Sequence, residues 1–304
     1  LLWSGAAFAA DHSNVVIGLS NGYFGTEWRN QMVAGAKEQF DMYKAKGMAG
    51  KLIVQQAGAD TNQQIQDIRN MIQQHVSVIM VNANSATALN GVFAEAHRAG
   101  IPVVSFDQQV TSPYATNVTV DHYQWGKRYA DWLAKALGGK GKVVLLRYAE
   151  GSASTLEREA GFLAVMKKYP DINLIVDNRY AGATTSMAQD AAMNLIDKVR
   201  EADGIFCPNE STTQGMLLAL RQTGLAGQKK FVGFDSSPLL LAALDRGQIQ
   251  ALVAQDPARM GYLAVITAVK HLRGETVAPF IDTGCVLVTR DNRHAPEVEA
   301  VVGK

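Results

Sequence analysis

Ile-Pro-Val-Val-Ser-Phe-Asp-Gln, at residues 101–108, is a short apolar run that follows a glycine and ends in an acid and an amide. A run of this kind, bounded by turn residues, is typical of a strand buried in a parallel sheet. The pattern returns at residues 230–235 as Lys-Phe-Val-Gly-Phe-Asp. The sequence therefore predicts two buried strands with Asp107 and Asp235 at their carboxyl ends.

Each of these strands is preceded by another apolar run that ends in asparagine, at Asn82 and at Asn209. The asparagine and the aspartate are separated by nearly the same number of residues in both copies. In open α/β sheets, ligands bind beyond the carboxyl ends of the strands. The repeat therefore predicts two similar lobes that face one ligand.

Predicted strands and helices alternate along most of the chain, which indicates right-handed βαβ units and parallel sheets. Residues 85–99 are expected to form one of the helices, and residues 280–288 a last extended segment. The predicted fold class is α/β, with two similar Rossmann-like lobes. Elements left over at the end of the chain predict three crossings between the lobes, near residues 119–121, 255–257 and 282–285, which form a three-strand hinge.

The predicted N-terminal lobe comprises residues 13–119 and 257–283. The predicted C-terminal lobe comprises residues 120–256 and 284–304. Residues 1–12 are interpreted as the remnant of a secretory signal peptide, because they are apolar and small and Ala7-Phe8-Ala9 matches a cleavage pattern. A tag remnant or a stray apolar arm is the alternative, and the mature protein is expected to be exported and soluble.

Composition excludes several classes of function. The 304 residues carry 29 basic and 28 acidic side chains, so the net charge of +1 predicts no attraction to nucleic acid or to an anionic membrane. Neither Cys207 nor Cys285 belongs to a CxxC pair, so no metal site is predicted, and a disulfide between them stays open. The sequence contains no nucleophile elbow, zinc-protease, Walker A or dinucleotide-binding motif. Neither an enzyme nor a cofactor is predicted, and the six histidines are interpreted as surface residues.

Side chains suited to a polyol lie at the predicted strand ends and nearby. A sugar offers hydroxyls that donate and accept, together with apolar C–H faces, so its site needs carboxylates, amides, a guanidinium group and aromatic walls. These groups are Trp28, Arg29, Asn82, Asp107, Gln108, Arg158, Asn209, Asp235 and Gln255. Trp28 could equally be a core residue, Arg29 and Arg158 could be solvated, and Gln255 could be only a hinge residue.

Five segments, in this order and spacing, resemble the ribose-binding-like family of periplasmic sugar-binding proteins, the solute receptors of ABC importers. The segments are Ile-Pro-Val-Val-Ser-Phe-Asp (101–107), Ser-Thr-Leu-Glu-Arg-Glu-Ala-Gly-Phe (154–162), Phe-Cys-Pro-Asn-Glu (206–210), Val-Gly-Phe-Asp (232–235) and Val-Ala-Gln-Asp-Pro (253–257). The resemblance extends from about residue 15 to residue 288. It implies the type I periplasmic binding protein fold and a periplasmic location.

The resemblance also implies a site and a mechanism. It places Asn82, Asp107, Arg158, Asn209, Asp235 and Gln255 against a monosaccharide, with Phe24, Tyr180 and Phe234 as aromatic residues of the cleft. Gln108 stands where the family often has arginine, and Trp28-Arg29 resembles a subgroup that takes furanoses and less common pentoses or polyols. The implied mechanism is closure of the hinge around the sugar by a monomer that then docks on a membrane permease.

Other classes of function stay open at this point. The same fold serves as the effector domain of LacI-type repressors, although these carry a helix-turn-helix that the segment before Val15 is too short to hold. A sensor receptor that hands the closed form to a chemoreceptor or kinase has the same sequence features. An enzyme of flavodoxin-like architecture would need a nucleophile or a cofactor fingerprint.

Overall fold

The computed structural model describes residues 15–22 and 27–303. The predictions for residues 1–12 and for Phe24 lie outside this range. The strands are β1 (Val16–Asn21), β2 (Lys51–Gln56), β3 (Val78–Asn82), β4 (Val103–Phe106), β5 (Ala115–Thr119), β6 (Gly141–Arg147), β7 (Ile172–Tyr180), β8 (Gly204–Phe206), β9 (Lys230–Phe234), β10 (Ala251–Gln255), β11 (Phe280–Asp282) and β12 (Cys285–Thr289). The helices are α1 (Glu27–Ala45), α2 (Thr61–Gln73), α3 (Asn90–Arg98), α4 (His122–Ala136), α5 (Ala153–Met166), α6 (Thr185–Asn194), α7 (Ile196–Glu201), α8 (Glu210–Gln222), α9 (Pro238–Asp245), α10 (Pro257–Leu272) and α11 (Pro296–Val302).

The strands form two six-stranded sheets with the same plan. The first sheet has the order β11-β5-β4-β3-β1-β2, and the second has the order β12-β10-β9-β8-β6-β7. All pairs are parallel except β10 with β12, which run antiparallel. The predicted α/β class with two similar lobes is therefore confirmed, and the strand pair β3–β4 has its counterpart in β8–β9.

The chain passes between the two sheets at three places. It leaves the first sheet after β5 and returns between β10 of the second sheet and α10, which packs against α1 and β4 of the first. It crosses again between β11 and β12. The prediction of one extended segment over residues 280–288 is wrong, because Gly284 adopts a φ of 73° and the chain there turns from one sheet to the other.

The predicted helix over residues 85–99 is shorter in the structure, since α3 begins only at Asn90. The Ser85 hydroxyl accepts hydrogen bonds from the backbone N–H groups of Thr87 and Ala88, at 3.4 and 3.2 Å. These bonds hold residues 85–88 in a local turn, which competes with the helix. Asp121 and Thr184 cap α4 and α6, because each side chain accepts a hydrogen bond from a backbone N–H in the first turn of its helix.

Helices cover the faces of both sheets, so the central strands are buried on both sides. Every residue of β3, β4 and β10 is buried. The pair α4–α5 on the second sheet is in close contact through two glycines. A Cβ on Gly126 would lie 2.2 Å from the carbonyl oxygen of Arg158, and one on Gly161 would lie 2.2 Å from that of Tyr123. This crossing sets the position of the helix that carries Arg158.

Two further observations concern the chain as a whole. Cys207 and Cys285 are both free thiols, so the disulfide that the sequence left open is not formed. Among the helices of residues 27–303, none has the length and apolarity needed to cross a bilayer.

Candidate functional site

A small cavity lies between the carboxyl ends of the two sheets. The residues that line it are Trp28, Arg29, Asp107, Gln108, Tyr148, Ser152, Ser154, Thr155, Arg158, Asn209, Glu210, Asp235 and Gln255. The structure therefore brings together eight of the predicted site residues, from elements distant in the sequence.

Asp107 and Asp235 occupy equivalent positions, each directly after a central strand. Their φ angles are 64° and 70°, in the left-handed region that non-glycine residues rarely adopt. Each backbone N–H still donates to the neighbouring strand, Asp107 to Val118 at 3.1 Å and Asp235 to Val253 at 2.7 Å. The two copies of the sequence repeat thus share the same backbone conformation at their aspartates. Such strain persists where the surrounding structure enforces it, which is common at functional sites.

The Asp107 carboxylate is buried, with 4% of its residue surface exposed. Its Oδ2 accepts a hydrogen bond from Asn82 Nδ2 at 3.1 Å. Burial raises the pKa of Asp107, while the charges of Arg29 and Arg158 and hydrogen bonds from Asn82 and Gln108 oppose that rise. Asn82 is fully buried behind Asp107 and does not line the cavity, so its predicted contact with a ligand becomes a supporting role.

The Asp235 carboxylate has a similar environment in the second sheet. Its Oδ1 accepts from Gln255 Nε2 at 2.9 Å, and its Oδ2 accepts from the backbone N–H of Glu210 at 2.9 Å. Burial raises the pKa of Asp235, and the charge of Arg158 is the largest effect against the rise. Gln255 therefore orients a site carboxylate as well as ending β10 beside a crossing between the sheets.

Arg158 is buried between the two aspartates, so the alternative of a solvated arginine is wrong. Its guanidinium donates to the Pro208 carbonyl at 2.9 Å, to Gln255 Oε1 at 3.3 Å and to His122 Nδ1 at 3.1–3.2 Å. The guanidinium carbon lies 3.7 Å from the centre of the Phe234 ring, a cation–π contact. Phe234 is fully buried and supports the cavity through Arg158 rather than lining it.

His122 was missed by the sequence analysis, and its interpretation as a surface residue is wrong because it is fully buried. Its Nδ1 faces N–H groups of Arg158, so Nδ1 must be the acceptor and Nε2 must carry the proton. Nε2 can then donate to the Asp107 carbonyl at 3.3 Å or to Thr119 Oγ1 at 3.1 Å. Burial and the charge of Arg158 hold the pKa of His122 well below its usual range. The sequence did contain one signal that His122 could matter: it lies in the first turn of the helix that follows a predicted crossing between the lobes.

The first helix supplies two more wall residues. Trp28 is 8% exposed, packs into the core beneath the first sheet and also lines the cavity. Arg29 lines the cavity as well. Burial raises the pKa values of Asp107 and Tyr148, and the positive charge of Arg29 opposes both rises.

Asn209 lines the cavity but does not end a strand as predicted. Strand β8 stops at Phe206, before Pro208, which has no N–H to continue the ladder. Asn209 is the N-cap of α8, and its Oδ1 accepts from Thr212 N–H at 3.3 Å. Its predicted position at the carboxyl edge of the sheet is nevertheless correct.

The aromatic side chain that reaches the cavity after β6 is Tyr148, and Tyr180 does not line it. Tyr180 ends β7, an edge strand, and its hydroxyl accepts from Arg147 at 3.3 Å. Tyr148 is buried, and its backbone N–H donates to Glu159, which sits on α5 one residue after Arg158. Of the two tyrosines, Tyr148 is therefore the one that lines the cavity.

The walls combine carboxylates, carboxamides, two guanidinium groups and an indole. Such a set can donate to and accept from vicinal hydroxyl groups and can stack on a C–H face. Within the described chain, no three His, Cys, Asp or Glu side chains converge as a metal site would require. The arrangement is chemically suited to a small polyhydroxylated molecule.

Comparison with known proteins gives a consistent result. Residues 17–276 match the model of the periplasmic binding protein domain. A ribose import binding protein of Bacillus subtilis (strain 168) is 26% identical over 95% of this chain and 92% of its own length. A xylitol-binding protein of Mycolicibacterium smegmatis is 29% identical over 68% of this chain and 59% of its own length. The structure of a carbohydrate transporter solute-binding protein from Agrobacterium radiobacter, in complex with D-arabinose, has a TM-score of 0.88 at 30% identity and covers 95% of this chain and 99% of that one.

Proposed function

Since this chain belongs to the periplasmic binding protein family, we propose that it binds one monosaccharide, a pentose, furanose or related polyol, in the cavity between its lobes. The observation that carries the proposal is the pair of buried aspartates, one from each sheet, that face a single cavity together with Arg158. Proteins similar to this one are named for ribose and xylitol, and one was solved with D-arabinose.

The recognition chemistry follows from the walls of the cavity. The carboxylates of Asp107 and Asp235 accept from sugar hydroxyls, and the guanidinium of Arg158 donates to hydroxyl or ring oxygens. The indole of Trp28 offers an apolar face to the C–H side of the ring. The charges of Arg29 and Arg158 oppose the raised pKa of Asp107, and the charge of Arg158 opposes that of Asp235, so both aspartates are stabilised as acceptors for a neutral ligand.

The mechanism that we propose is closure about the three crossings. The division into residues 13–119 with 257–283 and residues 120–256 with 284–304 is supported by the way that the strands divide between the sheets. A ligand that touches both lobes favours the state in which they are closed. The closed form then delivers the sugar to the membrane permease of an ABC importer, from the periplasm.

A thermal-shift screen tests the binding function. The panel consists of pentoses, hexoses, their deoxy and amino forms, and sugar alcohols. A ligand at 100 times its Kd adds about 2.7 kcal/mol to the free energy of unfolding, so the Tm should rise visibly. We expect one or two close stereoisomers to give a large shift. Protein that has been unfolded, dialysed and refolded should respond as well, and no shift in either preparation would refute the proposal.

Replacing Asp107 or Asp235 with alanine is expected to weaken binding of the sugar found in that screen by about 2–4 kcal/mol. Each carboxylate has buried partners that alanine leaves unsatisfied, and alanine is also strained at a φ near 64–70°. Calorimetry measures the loss. The variants Asp107→Asn and Asp235→Asn tolerate the same φ and so separate charge from backbone strain. Wild-type affinity in both alanine variants would contradict the site assignment.

Replacing His122 with leucine is expected to lower affinity by about 1–2 kcal/mol, or roughly five- to thirtyfold. Leucine cannot accept from the guanidinium of Arg158, so that group loses one of its fixed partners. Titration calorimetry with the same sugar measures the effect. His97→Leu, on an exposed part of α3, is the control and should bind like the wild type. Equal affinity in the two variants would show that His122 does not position Arg158.

A further inference from the structure

The first turn of α5 is not capped by its own N-cap residue. Ser152 occupies that position, but its side chain makes no capping hydrogen bond. Its buried Oγ finds no hydrogen-bond partner within residues 15–22 and 27–303. A serine at this position normally accepts from the N–H of the second or third helical residue. The acceptor for the start of α5 must therefore come from elsewhere.

Gln108, which follows β4 of the other sheet, supplies that acceptor. Its Oε1 accepts from the backbone N–H of Ser154, the second residue of α5, at 3.2 Å. Its Nε2 donates to Ser154 Oγ at 2.9 Å. Both residues are 4% exposed. The Gln108 carbonyl accepts from Ser105 Oγ at 2.6 Å, which anchors the residue to the first sheet.

We infer that Gln108 is a latch between the lobes: its carboxamide caps α5 across the cleft and thereby holds a closed population even without a ligand. The inference rests on the lobe closure proposed above and on no particular sugar. Opening the cleft breaks both bonds and returns the Ser154 N–H to water. Gln108 also bonds to Asp107 within its own lobe, so Gln108→Leu removes that contact as well, and the latch is measured by the distance between the lobes rather than by affinity. A protein that is more often closed binds its ligand more tightly by the same factor.

The distance between the lobes measures the latch directly. We would label Gln66→Cys on α2 and Ser186→Cys on α6, both exposed positions, in a Cys285→Ser background in which the remaining Cys207 is fully buried. Double electron–electron resonance on the ligand-free protein then gives the ratio of closed to open molecules. Gln108→Leu keeps the size of the side chain and removes both bonds. The neighbouring substitution Gln109→Leu is the matched control.

We expect Gln108→Leu to lower the closed-to-open ratio about tenfold, the effect of two neutral hydrogen bonds. Ser154→Ala removes one of these bonds from the other side, so it should lower the ratio by a smaller factor. In the Gln108→Leu background Ser154→Ala should have no further effect, because the two residues act on each other. Gln109→Leu should leave the ratio unchanged.

Identical distance distributions in the wild type and in Gln108→Leu would overturn the latch. This holds also if both proteins are fully open without a ligand. If Ser154→Ala lowered the closed-to-open ratio by the same factor in the wild type and in the Gln108→Leu background, the two residues would not act as a pair. The latch and the proposed function can fail separately. A ratio that responds to Gln108→Leu in a protein that no sugar stabilises would refute sugar binding alone, and the reverse result would refute the latch alone.

Discussion

Replacing Arg158 with alanine is expected to lower sugar affinity by about 2–4 kcal/mol, or roughly 30- to 1,000-fold, while the fold is retained. Arg158 is the cation whose charge opposes the raised pKa of both Asp107 and Asp235. Without it, two buried carboxylates lose their shared counter-charge, and burial should raise both pKa values further. The variant thus weakens both halves of the site, one in each lobe.

The same substitution leaves other groups without their donor. The Pro208 carbonyl, Gln255 Oε1 and His122 Nδ1 all accept from the Arg158 guanidinium in the structure. Removing one member of a buried hydrogen-bonded set costs the desolvation of the partners that remain. This is why we expect a larger effect from Arg158→Ala than from His122→Leu.

Titration calorimetry with the sugar that the thermal-shift screen identifies would measure the loss. Arg158→Lys retains the charge but not the planar fork of donors, so an intermediate affinity is expected. Arg200→Ala is the control, because Arg200 pairs with Asp197 on the exposed surface of the second lobe. Wild-type affinity in Arg158→Ala would contradict the central role that we assign to this residue.

Replacing Gly126 with alanine is expected to lower the free energy of unfolding by about 2–3 kcal/mol. The added Cβ would lie 2.2 Å from the carbonyl oxygen of Arg158 and 2.9 Å from its Cα. These are backbone atoms, which cannot rotate away as a side chain can. Helices α4 and α5 must therefore separate, and apolar contacts between them are lost.

The clash involves the backbone of Arg158 itself, so Gly126→Ala should also weaken sugar binding. Chemical denaturation measures the stability, and calorimetry measures the affinity. Gly91→Ala on α3 is a matched control, because its Cβ would meet no atom within 4 Å. Alanine there should be neutral or stabilise the helix by roughly 0.5–1 kcal/mol. Equal denaturation midpoints in the two variants would show that the glycine contact does not control this helix crossing.

The fold was predictable because its signals are local. Apolar runs bounded by turn residues identified the central strands, and alternation with helices identified the parallel sheets. By their local pattern residues 280–288 fit one extended segment, whereas the elements left over at the end of the chain predicted the crossing near residues 282–285, which the structure has at Gly284.

The part of the site that the sequence predicted consists of the residues at the ends of strands. Asp107, Asp235 and Gln255 follow or end central strands, and the carboxyl ends of parallel strands meet at one edge. Tyr180 also ends a strand, but that strand lies at the edge of its sheet, away from the cavity. The choice between Tyr180 and Tyr148 depends on strand order, which residue spacing does not contain.

The sequence by itself determined the α/β class, the two repeated units and the aspartate at the end of each. These features depend on hydrophobic periodicity and on residue type at a strand end, which are properties of short segments. Only the tertiary structure decided that His122 is buried, that it accepts from Arg158, and that Gln108 caps a helix of the other lobe. Those roles arise from contacts between residues far apart in the chain, and a side chain acquires them only when packing brings its partner within hydrogen-bond distance.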